Sequence, residues 1–303
     1  MSEKELQHPV VCFGETLWDI LPGEKLPGGA PMNVAYHLNQ LGKNPAVISR
    51  IGCDDPGKEL IQILEAKNIN TQFIQFDNKN CTGKVYAEFK ENNEVHYEIA
   101  KPVAWDYIQW QDAFTSLIEE AEYFVFGSLV ARSKHSKNTL LKCVEAARTK
   151  VLDINLRPPH YNKKTVEELL IKADVLKLNL AELHLITGWF NDYESDEDRI
   201  SLLKEKFELD VIIVTKGGDG AILNIGSQFY HHSGYTVEVA DTVGSGDAFL
   251  AATISKLIDR APPEETLDFA SRLGAYIASC KGACPHYSMS AINQTELFQN
   301  VFH

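Results

Sequence analysis

A chain of 303 residues with 44% hydrophobic and 23% charged residues carries enough apolar content to bury a sizeable core, so disorder is not the default expectation. No apolar run approaches the length of a membrane span, and a formal charge of -13 opposes nonspecific attraction to nucleic acid or anionic lipid, so the expected partner is a small ligand. The polar start from Met1 to His8 lacks the apolar segment of a secretory signal, which predicts a cytoplasmic protein with six reduced cysteines, none in the C-x-x-C spacing of structural zinc.

In chain order, residues 10–13 read as a first strand, and residues 15–21 as a second with no helix between them. Asp19 lies on that second strand, where a lone acid reads as a solvated residue. Pro27-Gly28-Gly29-Ala30-Pro31-Met32-Asn33 then opens a helix continued by Tyr36, Leu38 and Leu41 and ended by Gly42. The glycine pair lets backbone approach a ligand closely, and Asn33 can both donate to and accept from hydroxyls. After a strand at residues 46–51, Asp55 is expected to cap a helix with Pro56 in its first turn and Leu60, Ile63 and Leu64 on one face. Residues 84–100 alternate as a hairpin turning at Asn92-Asn93. A lone hairpin is marginal, so these strands are expected to join a small sheet projecting over the core, with an edge of the main sheet as the alternative.

Apolar runs at residues 123–126, 151–154, 175–178 and 211–215, with helix-period stretches between most of them, predict an α/β fold with a mostly parallel sheet covered by helices. Residues 214–220 read, by themselves, as a hairpin turn. The densest signal is Asp241-Thr242-Val243-Gly244-Ser245-Gly246-Asp247 ahead of a helix. Two glycines at a helix start aim several N–H groups at one point, where the dipole also favours negative charge. Asp247 beside such an anion hole reads either as a proton acceptor for an attacking hydroxyl or as a cap, with Asp241 capping the turn. No G-x-x-x-x-G-K-[ST] occurs, and Phe249 stands where a dinucleotide fingerprint needs its third glycine.

The two glycine motifs, in this order and at opposite ends of the chain, resemble those of the PfkB (ribokinase-like) carbohydrate kinases. The resemblance implies one kinase domain over residues 1–303, a three-layer α/β/α ribokinase-like fold with a small β-sheet lid from about residues 15–26 and 72–103. It makes Asp247 the general base and Gly244, Ser245 and Gly246 the anion hole, with serine where the family usually has alanine. ATP and Mg2+ are the implied cofactors. Asn179, Thr215, Gly217, Gly220, Gly244, Gly246, Gly282 and Ala283 would meet the nucleotide, and Glu182 would organise magnesium through water. Read without the family, Glu182 is a surface acid at a helix start. Backbone near Asp241 and Val243 is implied as a K+ site.

Within the family, the segments around Asp19, Gly29 and Arg157 resemble bacterial fructokinases. That likeness implies transfer from ATP to the primary hydroxyl of D-fructose, with Asp19, Gly28, Gly29, Asn33 and Arg157 holding the sugar. The implied partners are a sugar and ATP, with neither nucleic acid nor membrane, in a monomer or a homodimer paired through the lid. A ribokinase-like or 2-keto-3-deoxygluconate kinase is the nearest alternative, and a catalytically silent sugar sensor the alternative outside enzymes.

Overall fold

The apolar runs fold as strands because a parallel sheet covered on both faces needs side chains that tolerate burial at every position. The computed structural model describes residues 7–89 and 95–293, and the chain divides into two units, Met1–Arg148 and Thr149–His303. The first contains β1 (Val10–Phe13), β2 (Leu17–Leu21), β3 (Glu24–Gly28), α1 (Ala30–Gln40), β4 (Ala46–Gly52), α2 (Asp55–Ala66), β5 (Ile74–Asp77), β6 (Gly83–Phe89), β7 (Val95–Ile99), α3 (Ala113–Glu120), β8 (Tyr123–Gly127) and α4 (Lys134–Ala146). Its core sheet is parallel in the order β8-β1-β4-β5, with β1 buried along its whole length.

A separate four-stranded sheet has the order β3-β2-β6-β7, with β2 parallel to β6 and antiparallel pairs on either side. The expected hairpin supplies β6 and β7, while its Asn92-Asn93 turn lies outside the described residues. Ile74–Asp77, placed with the small sheet on sequence, pairs instead with β4 in the core. The start of α2 also differs from expectation. Asp54, not Asp55, is the cap: its backbone is extended (φ -98, ψ 169) and its carboxylate accepts the Gly57 N–H at 3.0 Å, which makes Asp55 the first helical residue.

The second unit contains β9 (Thr149–Asp153), α5 (Lys163–Leu170), β10 (Val175–Asn179), α6 (Leu180–Thr187), α7 (Asp196–Phe207), β11 (Val211–Thr215), β12 (Ala221–Ile225), β13 (Gln228–His232), α8 (Ser245–Ile258), α9 (Pro263–Ala278) and α10 (Met289–Ile292). Strands β9, β10 and β11 are parallel, and β12 and β13 extend the sheet antiparallel. Helices α8 and α9 pack closely because α9 has a glycine at the crossing: a Cβ on Gly274 would already touch the Ser245 carbonyl oxygen at 3.4 Å and Phe249 at 3.6 Å. All six cysteines are free. Among the described residues no helix is long and apolar enough to cross a membrane.

Candidate active site

In the second unit, α8 begins at Gly244, whose left-handed backbone (φ 79) strains any residue with a side chain. A Cβ there would also lie 2.6 Å from Ala283 Cα, so glycine is required twice over. Gly244 brings no capping side chain, and the positive end of α8 faces the turn. Asp247, the third residue of the helix, is only 8% exposed. The capping position belongs to Gly244, so Asp247 is not the cap of α8, the structural role open to it on sequence. Asp241 does cap the turn: its carboxylate accepts the Val243 N–H at 3.0 Å and the Gly282 N–H at 3.2 Å, tying residues 241–243 to Gly282.

This turn opens on a cavity of about 320 Å³ walled by Thr215, Gly217, Gly220, Ser245, Gly246 and Phe249, among others. The two glycines play different parts. Gly217 faces open space, whereas a Cβ on Gly220 would strike the His232 carbonyl oxygen at 1.9 Å, so Gly220 is fixed by the close approach of the chain at the end of β13. Of the residues expected to meet a nucleotide, Thr215, Gly217, Gly220 and Gly246 line the cavity, while Asn179, Gly244, Gly282 and Ala283 do not.

Glu182 is a buried residue, 7% exposed, which corrects its reading as a surface acid. One carboxylate oxygen accepts the Asn179 N–H at 2.8 Å and the other the Leu156 N–H at 2.7 Å, while Asn179 returns its side-chain oxygen to the Glu182 N–H at 2.9 Å. This capping box starts α6 and fixes the loop after β9. Burial pushes the Glu182 carboxyl above its ordinary pKa and the charge of Asp153 adds to that, against the two amides and Lys177. Arg157 stands exposed on the loop, with Nη1 donating to the Leu156 carbonyl at 3.1 Å. Two buried charges were absent from the site read on sequence: Lys177 donates to both oxygens of Asp153, at 3.0 Å each. The visible signal was a lysine inside the apolar strand Val175-Leu176-Lys177-Leu178.

In the first unit, Asp19, Gly28, Gly29 and Asn33 come together. Asp19 is half-buried with its carboxylate over Gly28, where a Cβ would lie 2.1 Å from Oδ2. It is therefore not the solvated strand residue that its position suggested. Gly29 caps α1 with φ 113, and a Cβ there would sit 2.3 Å from the Glu15 carbonyl oxygen. Its own carbonyl accepts the Asn33 N–H at 2.9 Å, and Asn33 is 4% exposed. The cluster thus gathers a carboxylate and an amide against backbone that carries no side chains, a surface suited to hydroxyl groups.

Residues 6–288 match the family described as pfkB family carbohydrate kinase. "Probable fructokinase-2" of Arabidopsis thaliana is 30% identical over 307 residues, covering 91% of this chain and 92% of the relative, and fructokinase-2 of Solanum lycopersicum is 29% identical with the same coverage. Among solved structures, fructokinase from Vibrio cholerae O395 in its fructose, ADP and calcium bound form superposes with a TM-score of 0.82 at 24% identity, covering 97% of this chain and 99% of that one. Fructokinase from Xylella fastidiosa with bound ATP gives 0.82 at 22% identity, covering 92% and 94%. With the match spanning both the Gly28-Gly29 helix start and the turn that ends at Asp247, the chain belongs to the pfkB family of carbohydrate kinases.

Proposed function

We propose that the protein is an ATP-dependent fructokinase that moves the γ-phosphate of ATP to the primary hydroxyl of D-fructose, giving fructose 6-phosphate. The observation that carries this reading is the start of α8, where a buried carboxylate, Asp247, follows a left-handed glycine turn at the mouth of a glycine-walled cavity. In this reading Asp247 takes the proton of the attacking hydroxyl, and the backbone of Gly244, Ser245 and Gly246 stabilises charge on the transferred group. Asp19, Gly28, Gly29 and Asn33 hold the sugar hydroxyls, and Arg157 supplies a permanently charged, planar donor to sugar or phosphoryl oxygens. The nucleotide is assigned to Thr215, Gly217, Gly220 and Gly246, with Asn179, Gly244, Gly282 and Ala283 nearby in the family pattern.

Magnesium fits this donor set. A carboxylate offers about four acceptor sites, and Glu182 uses one on each oxygen for backbone N–H groups, leaving capacity toward a hydrated cation. In this proposal magnesium is held mainly by phosphates and water, with Glu182 reaching it through that water. When bound, it would neutralise charge on the phosphates. Potassium is assigned to backbone oxygens near Asp241 and Val243, since the Asp241 carboxylate already serves two amides. The sheet β3-β2-β6-β7 is assigned as a lid that excludes water during transfer. Residues 97–105 include no arginine, so phosphorylated sugars should bind poorly there. Cytoplasmic location and a monomer or lid-paired dimer complete the proposal.

The names of the curated relatives support fructose as the acceptor. A coupled ADP-release assay over fructose, ribose, adenosine, mannose, glucose and 2-keto-3-deoxygluconate tests it, with the highest kcat/KM expected for fructose. A higher value for ribose or ketodeoxygluconate would overturn the substrate, and sugar binding without ADP from any of them would point to a sensor.

A further inference from the structure

Strands β9 and β10 bury an ion pair that the chemistry above leaves without a part. Their parallel register sets Lys177 opposite Asp153, and Lys177 Nζ reaches both carboxylate oxygens at 3.0 Å, with the side chains 8% and 4% exposed. Holding two strands together does not require such a pair, because apolar side chains of similar volume usually serve as well or better. The ammonium also stands against the anion turn: a Cβ built on Gly246 would lie 3.1 Å from Nζ. Burial alone would lower the Lys177 pKa, yet the charges of Asp153, Asp247 and Glu182 outweigh it and hold the ammonium above its ordinary value. Four elements therefore bring charge to one place: Asp153 at the end of β9, Lys177 on β10, Glu182 in the first turn of α6 and Asp247 in the first turn of α8. Lys177 is bonded to Asp153, and the charges of Glu182 and Asp247 act on it as well.

We propose that Lys177, steered by Asp153, is a positioning residue for phosphoryl transfer, its ammonium bracing the Gly244–Gly246 turn and its charge set against Asp247. The inference rests on Asp247 being the base. Asp153 has a distinct part in it. By accepting from Lys177 through both carboxylate oxygens, it limits what the ammonium can offer Asp247, and a stronger pull on Asp247 would leave that carboxylate charged but more weakly basic.

Two substitutions should therefore push Asp247 in opposite directions. Lys177→Met removes the cation, so the acid limb of the kcat profile for fructose moves to higher pH. Asp153→Asn leaves the ammonium to the remaining carboxylates, so the limb moves to lower pH. In both, kcat at the plateau falls by roughly 10²-fold, the scale for losing one charge-stabilising group, while the KM for fructose stays near that of the wild type. The double variant Asp153→Leu/Lys177→Met separates position from packing: it should regain the thermal midpoint of the wild type and remain slow. A folded double variant with wild-type kcat, or single variants whose acid limbs move together or not at all, would overturn the proposal. Full turnover by Asp247→Asn would instead overturn the parent reading, and is told apart because it appears with Lys177 and Asp153 untouched.

Discussion

A carboxylate in the first turn of a helix gains from the dipole, which favours a charged Asp247, while 8% exposure leaves it little water. In the proposal above, that carboxylate is the proton acceptor for the attacking hydroxyl. Asp247→Asn preserves shape and removes the proton acceptor, so turnover should fall by at least ~10²-fold, the lower end for acid-base contributions. Fructose affinity by titration calorimetry should stay close to wild type, and stability should drop by about 1 kcal/mol or less, the value of a first-turn charge. Near-normal turnover by a folded variant would take Asp247 out of the role. Asp247 could be singled out as a candidate because its marker is local, the Gly244-Ser245-Gly246 run immediately before it. Lys177 was not, since its partner Asp153 lies 24 residues away and only strand register brings them together. Glu182 misled for a related reason: a helix-start acid looks alike in any sequence, and only the fold delivers the Leu156 N–H that buries it.

Elements with strong apolar runs, such as β1, β10 and β11, were readable because β1 is buried throughout and the other two are buried along most of their length. Strand β3, Glu24-Lys25-Leu26-Pro27-Gly28, was not wholly so: proline and glycine are poor strand formers, tolerated because it is an edge of the small sheet. Asp54 links two such elements. It caps α2 through Gly57 and also accepts the backbone N–H of Thr82 at 2.9 Å and the Thr82 hydroxyl, so one side chain sets the start of α2 and the approach to β6. Burial alone would raise the Asp54 pKa, but the Thr82 hydroxyl, its N–H and the Gly57 N–H outweigh it and bring the carboxyl below its ordinary value. A depressed folded pKa means that the stabilisation is fully present above the unfolded value, about pH 4, and is lost as pH falls through the folded value. Asp54→Ala should therefore cost about 1 kcal/mol at neutral pH, typical of a lost cap, in urea unfolding. The gap from wild type should narrow as the pH is taken below the ordinary carboxylate range. A gap that stays constant on acidification would assign the loss to packing rather than to the carboxylate.

At the scale of the molecule, a chain of net charge -13 repels polyanions at long range, so the proposed nucleotide would have to be captured by local groups, in the proposal the backbone at the start of α8. The α/β class followed from alternating apolar and amphipathic segments, whereas the division into Met1–Arg148 and Thr149–His303 left no linker or composition shift to read. The proposed contacts fall on the two units separately, Asp19, Gly28, Gly29 and Asn33 in the first and Thr215, Gly217, Gly220 and Gly246 in the second, and hydrogen exchange can weigh each ligand against each unit. A ligand present at 100 times its Kd slows exchange through global opening by roughly 100-fold wherever it binds, so the informative amides are those that open locally. Fructose should slow these in β2 and the first turns of α1. ADP with magnesium should slow them in residues 215–220 and the first turn of α8. Fructose protection absent from β2 and α1 would remove Asp19 and Asn33 from the sugar site, and ADP protection that bypasses α8 would separate the nucleotide from Asp247 and undo the kinase geometry at its centre.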